Sequence, residues 1–304
     1  RVQQINDCAP DSEEKNLLFE NLTAVYPTEH IDLGSSSDTL RMIDLLAPMG
    51  FGQRIALFTS LHSGRRQVIS DLLQELHKSY PNAFLMVVLI GERPEEVTHM
   101  QRNAPAEVLS STFDETALRH VQVAEMARER AKRLVEQGKN VVFVLDSLTH
   151  LTRAYDTVDA PGGRVKKDTF DTQSIVNALQ YCGAGRNLEE GGSLTILSTV
   201  ITGGDSAIDN SLVQAIRGTT NSEIQLSKTV PEACPPIVPS RTATEKSDYL
   251  DTSVHERMLK IRSTLTGDDR VDQQRLLDLI RDTSSNNEVL DSVRALDKKR
   301  SVGK

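Results

Sequence analysis

The sequence predicts an α/β protein, a mostly parallel sheet with helices on both faces and a small helical part at the C-terminal end. Two runs, Phe84 to Ile90 and Val141 to Leu145, are apolar without interruption, the pattern of strands buried on both sides of a parallel sheet. Around them lie segments with apolar residues at helical spacing, among them Val68, Ile69, Leu72, Leu73 and Leu76. The two patterns alternate at the separation that a strand–helix–strand crossover needs.

The elements follow in order. Residues 1–30 are mixed, broken by Pro10 and Pro27, and read as a lead-in that packs on the main body. A short strand or loop after residue 31 gives way to an apolar helix around Leu40 to Leu46. Arg54 to Thr59 is a strand and Gln67 to Tyr80 a helix. After the strand Phe84 to Ile90, a long amphipathic helix spans Glu115 to Gln137 and stops at Gly138, a residue suited to the C-cap. Val141 to Leu145 is a strand that ends at Asp146, Thr172 to Tyr181 a helix, and Ser193 to Val200 a third, less purely apolar strand. Beyond residue 230, Pro231, Pro235, Pro236 and Pro239 bar regular structure for want of backbone donors. His255 to Leu265 and Gln273 to Arg281 are short helices, and residues 283–304 read as a frayed helix or tail. The main unit therefore covers 31–265, and 266–304 forms a helical segment with a polar end.

Composition narrows the functions. Acidic residues number 43 against 35 basic, a formal charge of −8, which disfavours nucleic-acid binding over the whole surface and leaves only local contacts. Cys8, Cys182 and Cys234 are odd in number and far apart, so neither a disulfide framework nor a paired-cysteine metal site is suggested and a reducing cytoplasm fits. The longest apolar run, Ala83 to Ile90, is too short to span a bilayer, and no membrane association is expected. The histidines show no ligand spacing, so no metal site is expected.

Three segments carry a resemblance. They are Phe19-Glu20-Asn21-Leu22-Thr23, the long run from Glu92-Arg93-Pro94-Glu95-Glu96 through Ser111-Thr112-Phe113-Asp114-Glu115 to Arg119-His120-Val121-Gln122-Val123-Ala124-Glu125-Met126, and Arg186-Asn187-Leu188-Glu189-Glu190-Gly191-Gly192. Over roughly residues 19 to 265 the chain resembles the ATPase domain of the Rho family of transcription termination factors. The resemblance implies a RecA-like P-loop NTPase fold and, for active relatives, a hexameric ring that uses ATP to pull RNA through its centre.

What this sequence keeps of that machinery is uneven. A working phosphate loop needs backbone N–H groups around the phosphates, a Lys at the β/γ oxygens and a Ser or Thr hydroxyl on Mg²⁺. The matching stretch, Thr59-Ser60-Leu61-His62-Ser63-Gly64-Arg65-Arg66, keeps Gly64 but puts Arg65 in place of the Lys and Arg66 in place of the hydroxyl. A planar guanidinium does not replace a compact ammonium, and a second one stands where a dication belongs. The loop is then a plain connection, a metal-free anion site, or a nucleotide site with Ser63, Gly64, Arg65 and Arg66 as its remnant. Asp146 and Glu92 hold the strand-end positions of the family's metal-binding and water-activating carboxylates, with sheet-end capping as the alternative. An acid next to the second of these in the family is Gly91 here, and His150 stands where the family usually has an Arg.

The resemblance also implies an arginine finger, inserted by a neighbouring subunit, and the matching Thr242-Ala243-Thr244-Glu245 ends in an acid that repels phosphate. The aromatic that stacks on adenine aligns with Cys234. Of the two pore loops the first retains Arg164, Lys166 and Lys167, either an RNA contact or a solvated basic turn, while the second, Thr202 to Ala207, has no Lys. The expectation is a Rho-type homologue that has lost ATP hydrolysis and binds no cofactor, working as a homo-hexamer or in a mixed ring with an active member. The alternative is an active RNA-dependent ATPase that uses ATP and Mg²⁺.

Overall fold

The computed structural model describes residues 18–60, 63–159, 170–202, 207–227, 236–245 and 249–292. A 3-10 turn at Phe19–Asn21 leads to β1 (Ala24–Val25), β2 (His30–Ile31), α1 (Asp38–Leu46) and β3 (Met49–Gly50). The central unit runs β4 (Arg54–Thr59), α2 (Arg65–Ser79), β5 (Phe84–Glu92), α3 (Pro94–Asn103), β6 (Glu107–Thr112), α4 (Ala117–Glu136) and β7 (Asn140–Asp146). It continues through α5 (Leu148–Val158), α6 (Thr172–Gly183), β8 (Arg186–Leu188), β9 (Ser193–Ile201), α7 (Ala207–Arg217) and β10 (Ser222–Gln225). β11 (Ala243–Thr244), α8 (Thr252–Ser263) and α9 (Asp269–Arg281) complete the order.

The sheet order is β11-β10-β4-β9-β7-β5-β6. Every pair from β10 to β6 is parallel, whereas β11 pairs antiparallel with β10. β8 pairs antiparallel with β9 and carries β1, so the lead-in adds a strand to the main sheet. Side chains alternate across the sheet: Ile55 and Leu57 of β4 face the apolar layer of α1, α2 and α9, and Ala56 and Phe58 face that of α4 to α7. This double covering explains the uninterrupted apolar runs. It also brings the carboxyl ends of β4, β9, β7 and β5 to one rim, with Thr59 opposite Ile201 and Leu89 opposite Asp146 in register. Between Ile90 and Glu92 the register of β5 shifts, with Gly91 at φ 72°, and this extra residue re-aims Glu92 at the rim.

The lead-in is anchored by Phe19. Its ring is buried, its N–H donates to Glu136 Oε1 at 2.6 Å, and the Arg186 guanidinium lies 4.7 Å from the ring centroid. Burying such a ring contributes about 1.5–3 kcal/mol.

A buried polar network ties the C-terminal helices to α1. Arg41 Nη1 donates to Ile280 O and Thr283 O, both at 2.8 Å, and Nη2 to Thr283 Oγ1 at 2.8 Å. These carbonyls lie at and just past the end of α9, where the regular helical ladder runs out and Ile280 O is otherwise met only by tight local bonds such as that from Thr283 N at 3.2 Å. Asn286 Nδ2 donates to Asp44 Oδ2 at 2.8 Å, and His30 Nε2 lies 2.8 Å from Asp44 Oδ1. The segment from 283 onward, read as a frayed helix or tail, is a docked helix in its described part. Residues 286–292 are helical, and Val289 and Leu290 are buried against the body. Two apolar residues on one short face suffice to dock a segment whose overall composition is polar.

Candidate functional site

The loop after β4 delivers two arginines to the rim. Gly64, at φ 78°, turns the chain into α2, and its carbonyl accepts the first helical bonds from Gln67 N at 3.0 Å and Val68 N at 3.2 Å. The left-handed backbone is what a β-carbon would resist, since Pro236 at 3.9 Å is the nearest atom to its place. Upstream, the Thr59 and Ser63 hydroxyls hydrogen-bond to each other. The first turn of α2 holds no acid, so Arg65 and Arg66 sit at the positive end of the helix dipole. Something must offset that, and the strand ends supply it.

Arg65 is buried with its guanidinium between two strands. Its Nε donates to Asp146 Oδ1 at 3.0 Å and Oδ2 at 3.2 Å, and its Nη2 to Glu92 Oε1. The half-buried Arg66 donates from Nη2 to Glu92 Oε2 at 2.7 Å and lies 3.0 Å from Glu96 Oε1 on α3. Thr199 of β9 donates its hydroxyl to Asp146 Oδ1 at 2.6 Å. Burial opposes the charge on Arg65, but Asp146 and Glu92 outweigh it and hold the guanidinium pKa above its usual value. Five of the predicted residues, Gly64, Arg65, Arg66, Glu92 and Asp146, thus meet in one place. Glu96 and Thr199 complete the cluster and were not anticipated. Beside it a cleft of about 220 Å³ opens between α2 and α3, lined by Arg66, Ser70, Glu96, His99 and Met100.

Beside the cluster, Gly91 and His150 touch. A β-carbon at Gly91 would lie 2.9 Å from His150 Nδ1, and that nitrogen donates to Ile90 O at 3.0 Å. Next to it, Ser111 Oγ lies 2.7 Å from His120 Nδ1 and donates to Glu115. Burial pushes the His120 imidazole below its ordinary pKa, the nearby His150 adds to this, and Glu115 opposes it.

Glu245 does not join the cluster. It is exposed just after β11, its N–H bonded to Asn221 O at 2.9 Å, along a wide polar groove that also holds Arg217, Glu223 and Arg241. Arg164, Lys166 and Lys167 lie outside the described residues, as do Cys234 and most of the second pore loop. Among the described residues no group of acids, histidines and cysteines forms a metal cage, and no helix is long and apolar enough to cross a membrane.

Known proteins agree with this architecture. Residues 39–241 match the ATP synthase alpha/beta family, nucleotide-binding domain. The chain is 41% identical over 303 residues to transcription termination factor Rho of Chromobacterium violaceum, covering 97% of this chain and 72% of that protein. It is 40% identical over 285 residues to Rho of Haemophilus influenzae, covering 91% of this chain and 68% of that one. Among solved structures, a type III secretion ATPase of pathogenic bacteria superposes with a TM-score of 0.72 at 20% identity, over 90% of this chain and 86% of its own. The assembled ATPase EscN of enteropathogenic E. coli gives 0.71 at 19% identity, over 90% and 72%. Those two likenesses establish a RecA-like fold, and the sequence identities go further: the chain belongs to the transcription termination factor Rho family.

Proposed function

We propose that this chain is a Rho-family protein that does not hydrolyse ATP and serves as a non-catalytic module in termination or RNA handling. It would work within a homo-hexamer or in a mixed ring with an active member. The observation that carries the reading is Arg65, whose guanidinium fills the gap between Asp146 and Glu92. The residues present do not fit a magnesium-bound triphosphate. Both strand-end carboxylates already accept from arginine, and Arg66 takes the second oxygen of Glu92, leaving no free carboxylate to orient water. Glu245 supports the same reading, because an acid at the finger position repels the charge that an arginine there would stabilise.

Calorimetric titration of the protein with ATP and Mg²⁺ tests this, and no metal-dependent binding in the micromolar range is the expected result. Micromolar, Mg²⁺-dependent binding would overturn it. An active RNA-dependent ATPase is the second reading, favoured by the placement of Glu92 and Asp146 at adjacent strand ends and by the left-handed Gly64. RNA-stimulated release of phosphate would establish that alternative. For RNA itself, Arg164, Lys166 and Lys167 are the proposed contact. Their replacement by Ala should weaken single-stranded RNA binding evenly across sequences and flatten its salt dependence by about 0.7 in log–log slope per lost phosphate contact.

A further inference from the structure

We propose that Arg65 is a tethered substitute for a divalent cation, doing permanently and from within the chain what a bound metal ion would do for Glu92 and Asp146. The inference deepens the functional reading and rests on it for the identity of the site. It concerns what the cluster does, and its test uses no nucleotide.

Glu92 and Asp146 end neighbouring parallel strands and are 4% and 1% exposed, so water does little to screen them from each other. Two carboxylates brought this close out of water need a cation between them or a proton on one. Metal-binding folds meet that need with a dication held by oxygen ligands. Here it is met by a planar fork of N–H donors: Arg65 reaches both acids, Arg66 takes the remaining oxygen of Glu92, and the Thr199 hydroxyl adds a donor to Asp146. The cluster joins α2 to the ends of β5, β7 and β9 with every bond made by the chain itself. The rim is therefore organised whether or not an ion is present in solution.

Thermal unfolding of the full chain, without nucleotide, tests the proposal in chelator, in millimolar Mg²⁺ and in millimolar methylguanidinium. The wild-type midpoint should be the same in all three. Arg65→Ala should lower it by roughly 5–15 °C in chelator. Either cation should recover part of that loss, with a rise that follows the logarithm of its concentration. The triple variant Arg65→Ala, Glu92→Gln, Asp146→Asn should regain most of the loss in chelator and ignore both cations. An Arg65→Ala midpoint equal to wild type, or one that neither cation moves, overturns the proposal. Should the single variant fail to fold, the triple decides. A folded, cation-indifferent triple supports the idea, and one as defective as the single sinks it. None of these outcomes depends on whether the wild type binds ATP, which the calorimetric titration reads separately.

Discussion

Two buried arginines organise two ends of this molecule by different chemistry. Arg41 directs its donors to neutral oxygens, the carbonyls of Ile280 and Thr283, the Thr283 hydroxyl and the Asn286 amide oxygen. Arg65 directs its donors to two ionised acids. The pKa directions differ accordingly. Burial lowers that of Arg41 despite the more distant Asp38 and Glu288, whereas Asp146 and Glu92 overcome burial and raise that of Arg65. A guanidinium on carbonyls is a helix cap, a fixture of the fold. One on paired carboxylates at the carboxyl rim of a parallel sheet occupies the place where such sheets hold ligands.

The comparison breaks most easily at Arg41. Arg41→Ala should cost about 3–5 kcal/mol, read as a lower urea midpoint at unchanged slope and indifferent to Mg²⁺, because buried carbonyls lose charged donors. A loss under about 1 kcal/mol would mean that water caps α9 equally well. At the other end, Gly64→Ala should cost about 1–2 kcal/mol from backbone strain alone, since the surrounding space is open. Arg66→Ala removes two ion pairs from a side chain that is 42% exposed, and should cost less than about 1 kcal/mol, shrinking further in high salt. A cost as large as that of Arg41→Ala would erase the distinction between buried and rim cations. The smallest expected effect is at His120. With its folded pKa depressed, the unfolded chain binds the proton more readily, so the contribution is complete above about pH 6.5 and declines as the pH falls below it. Urea midpoints from pH 8 to 5 should show that decline in the wild type and less of it in His120→Asn.

The strands of the core were legible because double burial leaves an uninterrupted apolar run. Arg54–Thr59 matches its predicted bounds, and Val141 to Leu145 gains one residue at each end. Much of what escaped notice was half-exposed, although the largely buried α5 was missed as well. α3 buries only Val97 and Met100, although Pro94 at its first position and Glu95 and Glu96 in its first turn are start signals. β6 is an edge strand of mostly intermediate exposure, and β10 has four residues of which Ser222 and Ile224 point inward. At the site, family resemblance picked out Arg65, Arg66, Glu92 and Asp146. It gave no hint that Glu96 would meet Arg66 or that Thr199 would meet Asp146, because pairing of polar groups across elements depends on rotamers and helix placement that no local pattern encodes.

The contact between Gly91 and His150 has a consequence for how such a sequence can change. Any side chain introduced at position 91 would strike the imidazole ring and adopt a backbone angle that only glycine tolerates easily. A substitution there has to wait for position 150 to give way first, so the pair works as a ratchet, and the order in which the two positions can change is set by a van der Waals overlap.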